Sequence, residues 1–331
     1  MRRQRTSHRD FDTNRGIPIY DDVVRGSGGL YLFTNDTVDP SNIENTGTAQ
    51  AGFGLHLSLP GTAGNYASTP DSAAVSITGD IDIRAKLAMD DWTPSDHTII
   101  FSKYGTGNIS WDLLIRPSGF IAANASSNGS AENLTADSTA APGFTDGSVH
   151  WLRYTRISSS GVVRFYTSDD GLSWSQLGAD VSTTAAGLFD STAPIEIGTR
   201  EGGTQYNLNG RSSKIYYAEI RNGIDGTVVA VFDVDEATLG AASVVSSATG
   251  EMWTIHGTAA IKSAIKLAST ASATNDAYNG MSLQITSGTG SGQDHQRISD
   301  YDGTTKEATV SGAWTTTPDS TSVYRVVNRG A

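Results

Sequence analysis

Short apolar runs, broken every few residues by Gly, Pro, Asn, Asp, Ser or Thr, recur along most of this chain. The clearest lies at 81–89, where Ile81, Ile83, Ala85, Leu87 and Met89 alternate with Asp82, Arg84, Lys86 and Ala88. A period of two puts one face of a strand on a core and leaves the other wet. Leu55, Leu57 and Leu59 alternate with His56 and Ser58 in the same way, and Pro60-Gly61 ends that run. The same reading predicts strands over 98–104, 110–116, 150–157, 162–168, 173–178, 195–199, 214–222 and 228–233. Long helical periodicity is absent, which argues against crossover helices and a parallel sheet. The expected fold is all-β, with antiparallel sheets packed face to face.

The 331 residues suffice for about two or three domains. Three segments are expected: an N-terminal arm or docking segment over 1–52, a β-sandwich over 53–262, and a small C-terminal β module over 263–331. The first holds one predicted strand, at Gly29–Phe33. The boundary of the last is placed in the small, polar stretch 257–275. Strands are expected beyond it at 281–286, 296–301, 307–310 and 323–327, with Asp302-Gly303 as a tight turn.

Charge narrows the partners. A net charge of −12 repels phosphate, so nucleic-acid binding by the body of the protein is not expected. No apolar run is long enough for a membrane span, and the basic start Met1-Arg2-Arg3-Gln4-Arg5 lacks the apolar stretch of a secretory signal. With no Cys there are no disulfides and no thiolate chemistry. Arg2, Arg3, Arg5, Arg9 and Arg15 stand apart from the acidic remainder. They read equally as a disordered tail or as an arm that docks on an acidic partner surface.

Several stretches carry a resemblance. Leu59-Pro60-Gly61, Asn65 through Ala73 and Ile77 through Arg84 resemble the opening of concanavalin-like (laminin-G-like) jelly-roll domains of phage virion proteins. Asp90-Asp91-Trp92-Thr93-Pro94, His150 through Tyr154, Val163 through Tyr166, Lys214 through Gly223 and Thr249 through Ile255 follow in the matching order. Ala277 through Met281, Ile298 through Thr304 and Ala313 through Asp319 resemble a small β module of phage particles. The resemblance implies a non-enzymatic virion structural protein, a capsid decoration, head fibre or tail fibre. It implies a place on the virion surface, other virion proteins as partners and, by analogy, a homotrimer. The alternative is an adhesin for host-surface glycans. A polysaccharide-degrading enzyme ranks third.

Candidate chemistry is sparse. Hydrolases of this fold place Glu-x-Asp-x-x-Glu on one strand, and no Glu-x-Asp occurs here. The nearest substitute is Asp233, Asp235 and Glu236, with Asp233 and Asp235 expected on one strand face. Thr167, Asp169, Gly171, Ser173 and Trp174 fit the Asp-box pattern, a structural hairpin in which Asp accepts turn N–H groups and Trp packs below. Laminin-G-like domains hold Ca²⁺ at the sheet rim in some members, and Asp80, Asp82, Asp90, Asp91, Asp169 and Asp170 would be the oxygen donors. Asp90, Asp91 and Trp92, in a Pro-bearing turn, are the expected binding residues, with Trp92 exposed for stacking on a sugar ring.

Overall fold

The structure, a computed structural model, describes the backbone of Asp22–Gly26 and Gly29–Phe33 and residues 43–204, 212–294 and 296–328. Arg2, Arg3, Arg5, Arg9 and Arg15 lie outside the described residues. In chain order the first strands are β1 (Asp22–Gly26), β2 (Gly29–Phe33), β3 (Ile43–Thr48), β4 (Ala51–Leu59), β5 (Ala67–Thr69), β6 (Ile81–Met89), β7 (Thr98–Gly105) and β8 (Asn108–Ile115). There follow β9 (Ile121–Ala125), β10 (Ala136–Asp137), β11 (Val149–Arg156), β12 (Val162–Ser168), β13 (Ser175–Gln176), β14 (Val181–Ser182), β15 (Ile195–Ile197) and β16 (Ser213–Asn222). The last are β17 (Thr227–Asp233), β18 (Ser243–Val245), β19 (Met252–Ile255), β20 (Ala260–Lys266), β21 (Ser282–Ser287), β22 (Gln296–Asp302), β23 (Glu307–Val310) and β24 (Val323–Val327). No helix among the described residues is long and apolar enough to cross a membrane.

The chain is all-β, and its strand pairs are antiparallel. One sheet runs β10-β9-β8-β7-β15-β5-β19-β18. The other runs β13-β12-β11-β6-β16-β4-β20 and continues through β23-β22-β21-β24-β3, with β14 beside β12 and β17 beside β16. The chain crosses from sheet to sheet repeatedly between β4 and β20, which is jelly-roll winding. One hydrophobic cluster joins the facing sides: Ile83, Ala85, Leu87, Leu152, Phe165 and Ile220 from the larger sheet meet Phe101, Trp111, Leu113, Ala123 and Trp253 from the smaller. Burying each large apolar side chain there contributes about 1.5–3 kcal/mol before chain entropy is counted.

The alternation at β6 is as expected on its core side. The outer side is not wet: Asp82 is 0% and Arg84 9% exposed. The turn carrying Asp225 and the hairpin carrying Trp174 fold back over them.

Both expected domain boundaries are crossed by strands. The stretch 257–275 is no linker, because β20 occupies its middle and pairs with β4 and then with β23. Before the other boundary, β3 pairs with β24, and Ala49 packs into a second core with Leu283, Ile298, Tyr301, Tyr324 and Val326. Residues 43–52 therefore form part of the C-terminal unit. The Ala, Ser and Thr residues of 257–275 read as a linker, but Ile261 packs into the first core and Ile265 and Leu267 into the second. β1 and β2 pair with each other.

Candidate functional site

The outer face of the larger sheet gathers the most functional side chains. Strand register sets three rows across β17, β16, β6, β11 and β12. The first contains Asp233, Tyr217, Lys86, Trp151 and Ser168. The second contains Val231, Glu219, Arg84, Arg153 and Tyr166, and the third places Asp82 between Arg221 and Thr155.

Asp82 is the hub. Arg84 donates to it through Nε and Nη2 (3.2 and 2.8 Å), and Arg153 does the same (3.0 and 2.8 Å). The backbone N–H of Asp225 adds a fifth hydrogen bond at 3.0 Å. The Asp225 carboxylate bridges the same two guanidinium groups. Burial opposes ionisation of Asp225, but the hydrogen bonds and charges of Arg153 and Arg84 outweigh it and hold its carboxyl below the usual range. Glu219 accepts from Arg221 Nε at 2.7 Å and from the Tyr217 hydroxyl at 2.9 Å. Three arginines and three carboxylates cancel, so the face is neutral.

Aromatic rings cover this network. Trp174 lies 5.5 Å from the Arg84 guanidinium and 5.7 Å from that of Arg153, and Tyr166 lies 5.2 Å from Arg153. Trp151 meets Trp174 edge to face at 6.3 Å and Tyr217 at 5.3 Å. All four rings are half-buried. Such rings combine apolar area with a polar edge.

A hairpin joins β12 to β13 where the Asp-box pattern stands, but Asp169 does not take the capping role expected of it. Thr167 and Ser175 pair at its base. Asp170, not Asp169, accepts the turn N–H groups of Leu172 and Ser173, both at 2.8 Å. Those bonds hold its carboxyl down at about 2. Ser168 Oγ accepts from the backbone of Asp170 and Gly171, which moves the cap one residue along and leaves Asp169 exposed beside His150.

Asp90, Asp91 and Trp92 do not form an exposed sugar platform. Trp92 is 1% exposed and packs edge-on against Phe144 (4.9 Å) and His150 (6.1 Å). Its indole N–H donates to Ser148 O at 3.2 Å. A large apolar ring at the sandwich edge closes the core there. Asp91 accepts from the Thr93 backbone N–H at 2.8 Å. Asp90 accepts from Ser212 and faces Lys214 at 3.6 Å, on the wall of a cleft.

The residues do not fit a Ca²⁺ site. No group of three carboxylate or imidazole donors gathers among the described residues. Asp80 accepts from Ser158, Asp82 is saturated by arginine, and Asp170 caps its turn. The glycosidase substitute does not form either. β17 ends at Asp233, and Val234–Glu236 turn as one 3-10 turn, so Asp235 leaves the strand face and donates its N–H to Asp233.

A second polar row, which sequence reasoning missed, crosses the outer face of the smaller sheet: Ser243, Thr254, Ser68, Glu196, Ser102, Asp112 and Asn124 stand side by side. Burial pushes Glu196 up to about 7 and Asp112 up to about 6, the latter against the attraction of Arg200. Glu196 Oε1 accepts from Gly202 N–H at 2.9 Å, while Oε2 has no hydrogen bond. Glu196 is 1% and Asp112 0% exposed, so the half of the row from Glu196 to Asn124 presents no surface, while Ser243 at its other end is exposed.

Trp151, Arg153, Tyr166 and Tyr217 were also missed as site residues. For Trp151, Arg153 and Tyr166 the signal was parity, an outward position opposite the apolar ones; Tyr217 shares parity with the core residue Ile215 and faces outward through the β-bulge between them.

No family model matches the chain, and no curated protein sequence matches it. Among solved structures it is similar to a putative carbohydrate-binding protein from Bacteroides ovatus (11% identity, 71% of this chain and 67% of that one, TM-score 0.45). It is similar to the native heptameric SAP-like pentraxin from Limulus polyphemus (11% identity, 51% of this chain and 76% of that one, TM-score 0.38). It is also similar to the Ruminococcus gnavus IT-sialidase CBM40 bound to α2,6-sialyllactose (14% identity, 51% of this chain and 93% of that one, TM-score 0.33).

Proposed function

We propose that this protein is a non-catalytic carbohydrate-binding β-sandwich that reads a neutral glycan on the outer face of its larger sheet. The observation that carries this reading is the group of four half-buried rings, Trp151, Trp174, Tyr166 and Tyr217, set over a charge-balanced network. The apolar faces of sugar rings stack on such aromatics, and the polar edges around them accept and donate hydrogen bonds to hydroxyls. Asp82 already accepts five hydrogen bonds, which suits a scaffold and not a proton shuttle. The resemblance of residues 53–262 and of the C-terminal unit to phage particle proteins supports a setting on the virion surface. There the face would contact host glycans.

A glycan array followed by calorimetry with the best neutral oligosaccharide tests the assignment. Trp174→Ala is expected to weaken binding about tenfold or more while the far-ultraviolet spectrum stays unchanged. Full retention of affinity in that variant, or an array without a single neutral ligand, overturns it.

A further inference from the structure

A cleft of about 320 Å³ lies between the sandwich and the C-terminal unit. Lys214, Lys266 and Lys306 line it, together with Asp90, Asp146 and Glu307. The chain has six lysines and a net charge of −12. Half of its ammonium groups therefore meet in one place.

The three lysines are not equivalent. Lys214 has a side chain 7% exposed, an ion pair to Glu307 at 2.8 Å, and the Phe53 ring centre 4.6 Å away. Lys306 Nζ donates to Ser272 O at 3.0 Å and Gly303 O at 2.7 Å. Lys266 differs. It stands directly across from Glu307 in the β20–β23 pair, yet the Glu307 carboxylate goes to Lys214. The Lys266 ammonium makes no hydrogen bond or ion pair among the described residues.

We propose that this cleft binds a carboxylate-bearing sugar residue, with Lys266 taking the carboxylate and Asp90 and Asp146 accepting hydrogen bonds from ring hydroxyls. The volume stands at the lower end of the range for ligand sites, ~300–1,000 Å³, and suits one sugar ring. One unpaired ammonium matches one carboxylate in a charge-assisted hydrogen bond. The neighbouring carboxylates repel a phosphate dianion, yet they are good acceptors for hydroxyl hydrogens. Asp146 spends Oδ1 on the Trp92 backbone N–H (2.8 Å), which aims its carboxyl group. Phe53, 3% exposed, backs the wall beneath Lys214. The site is separate from the aromatic face, so either assignment can fail alone.

The test is calorimetry on the full chain with oligogalacturonate, oligoglucuronate and sialyllactose as probes. Neutral lactose, inorganic phosphate and acetate are the controls. At least one acidic probe is expected to bind saturably and more tightly than every control. Lys266→Gln, at a half-buried position with no partner to lose, is expected to weaken it about tenfold. Thr305→Trp, which fills the cleft from its rim, is expected to do the same, and Trp174→Ala to leave it unchanged. The proposal is overturned if no acidic probe binds, if Lys266→Gln binds as tightly as the parent, or if acetate or phosphate competes as well as the acidic sugar.

Discussion

Gly171 packs against the Trp151 indole: a Cβ on Gly171 would stand 2.6 Å from Trp151 Cε2. Its φ is +73°, where a side chain is strained in any case. The hairpin that carries Trp174 therefore docks on the sheet only with glycine at its tip. Gly171→Ala is expected to lower stability by about 1–3 kcal/mol. It should also shift tryptophan emission to the red, as Trp151 and Trp174 separate. Urea denaturation followed by fluorescence checks both.

Asp82, itself fully buried, neutralises two guanidinium groups. Asp82→Ala leaves both arginines buried with only Asp225 and Glu219 nearby. Breaking a buried ion network by removing one partner costs about 3–5 kcal/mol. The variant should unfold at markedly lower urea. Asp225→Ala, whose carboxylate is largely exposed, should cost far less, within about 1 kcal/mol.

Glu196 makes stability depend on pH in a definite sense. Its ordinary value is 4.5, and burial raises it to about 7 in the folded protein. Below pH 4.5 it is protonated folded and unfolded, and its contribution is fully present. Between there and pH 7 the unfolded chain releases the proton while the folded state holds it, so stability falls as pH rises. Glu196→Gln keeps the neutral form at every pH. It should flatten that slope and raise stability at pH 8 by about 2 kcal/mol, once solvent screening is allowed for. Chemical denaturation of both proteins at pH 5 and pH 8 measures the difference.

Gly52 marks the seam between the two units. A Cβ there would stand 1.8 Å from Pro318 O, a backbone atom that cannot swing aside. Gly52→Ala should push the 318 segment off β4 and loosen the C-terminal unit ahead of the sandwich. Hydrogen exchange should then show lost protection in β21–β24 with β6, β11 and β12 unchanged. Uniform loss across both units would show that the seam is the keystone of the whole fold.

The hydrophobic pattern alone determined the all-β class and most strand positions, because alternation and turn chemistry are local. It also marked Trp174 as a hairpin ring. The expected tight turn at Asp302-Gly303 is a longer loop over 303–306: Asp302 pairs with Glu307, and the positive φ falls on Lys306, not on Gly303. The paired status of Asp82, the burial of Trp92 and the row from Ser243 to Asn124 were decided only by tertiary structure. Each depends on which strands become neighbours, and residues far apart in sequence meet there: Asp82 with Arg153 and Asp225, Trp92 with Phe144, Glu196 with Ser68 and Ser102. The same holds for the cleft. Lys214 and Glu307 carry no local sign of each other, and only β20, shared by two sheet segments, brings them to 2.8 Å. Local chemistry sets what a strand is. The long-range register sets which of its outward residues are wet, which are paired, and which are left with a charge to offer.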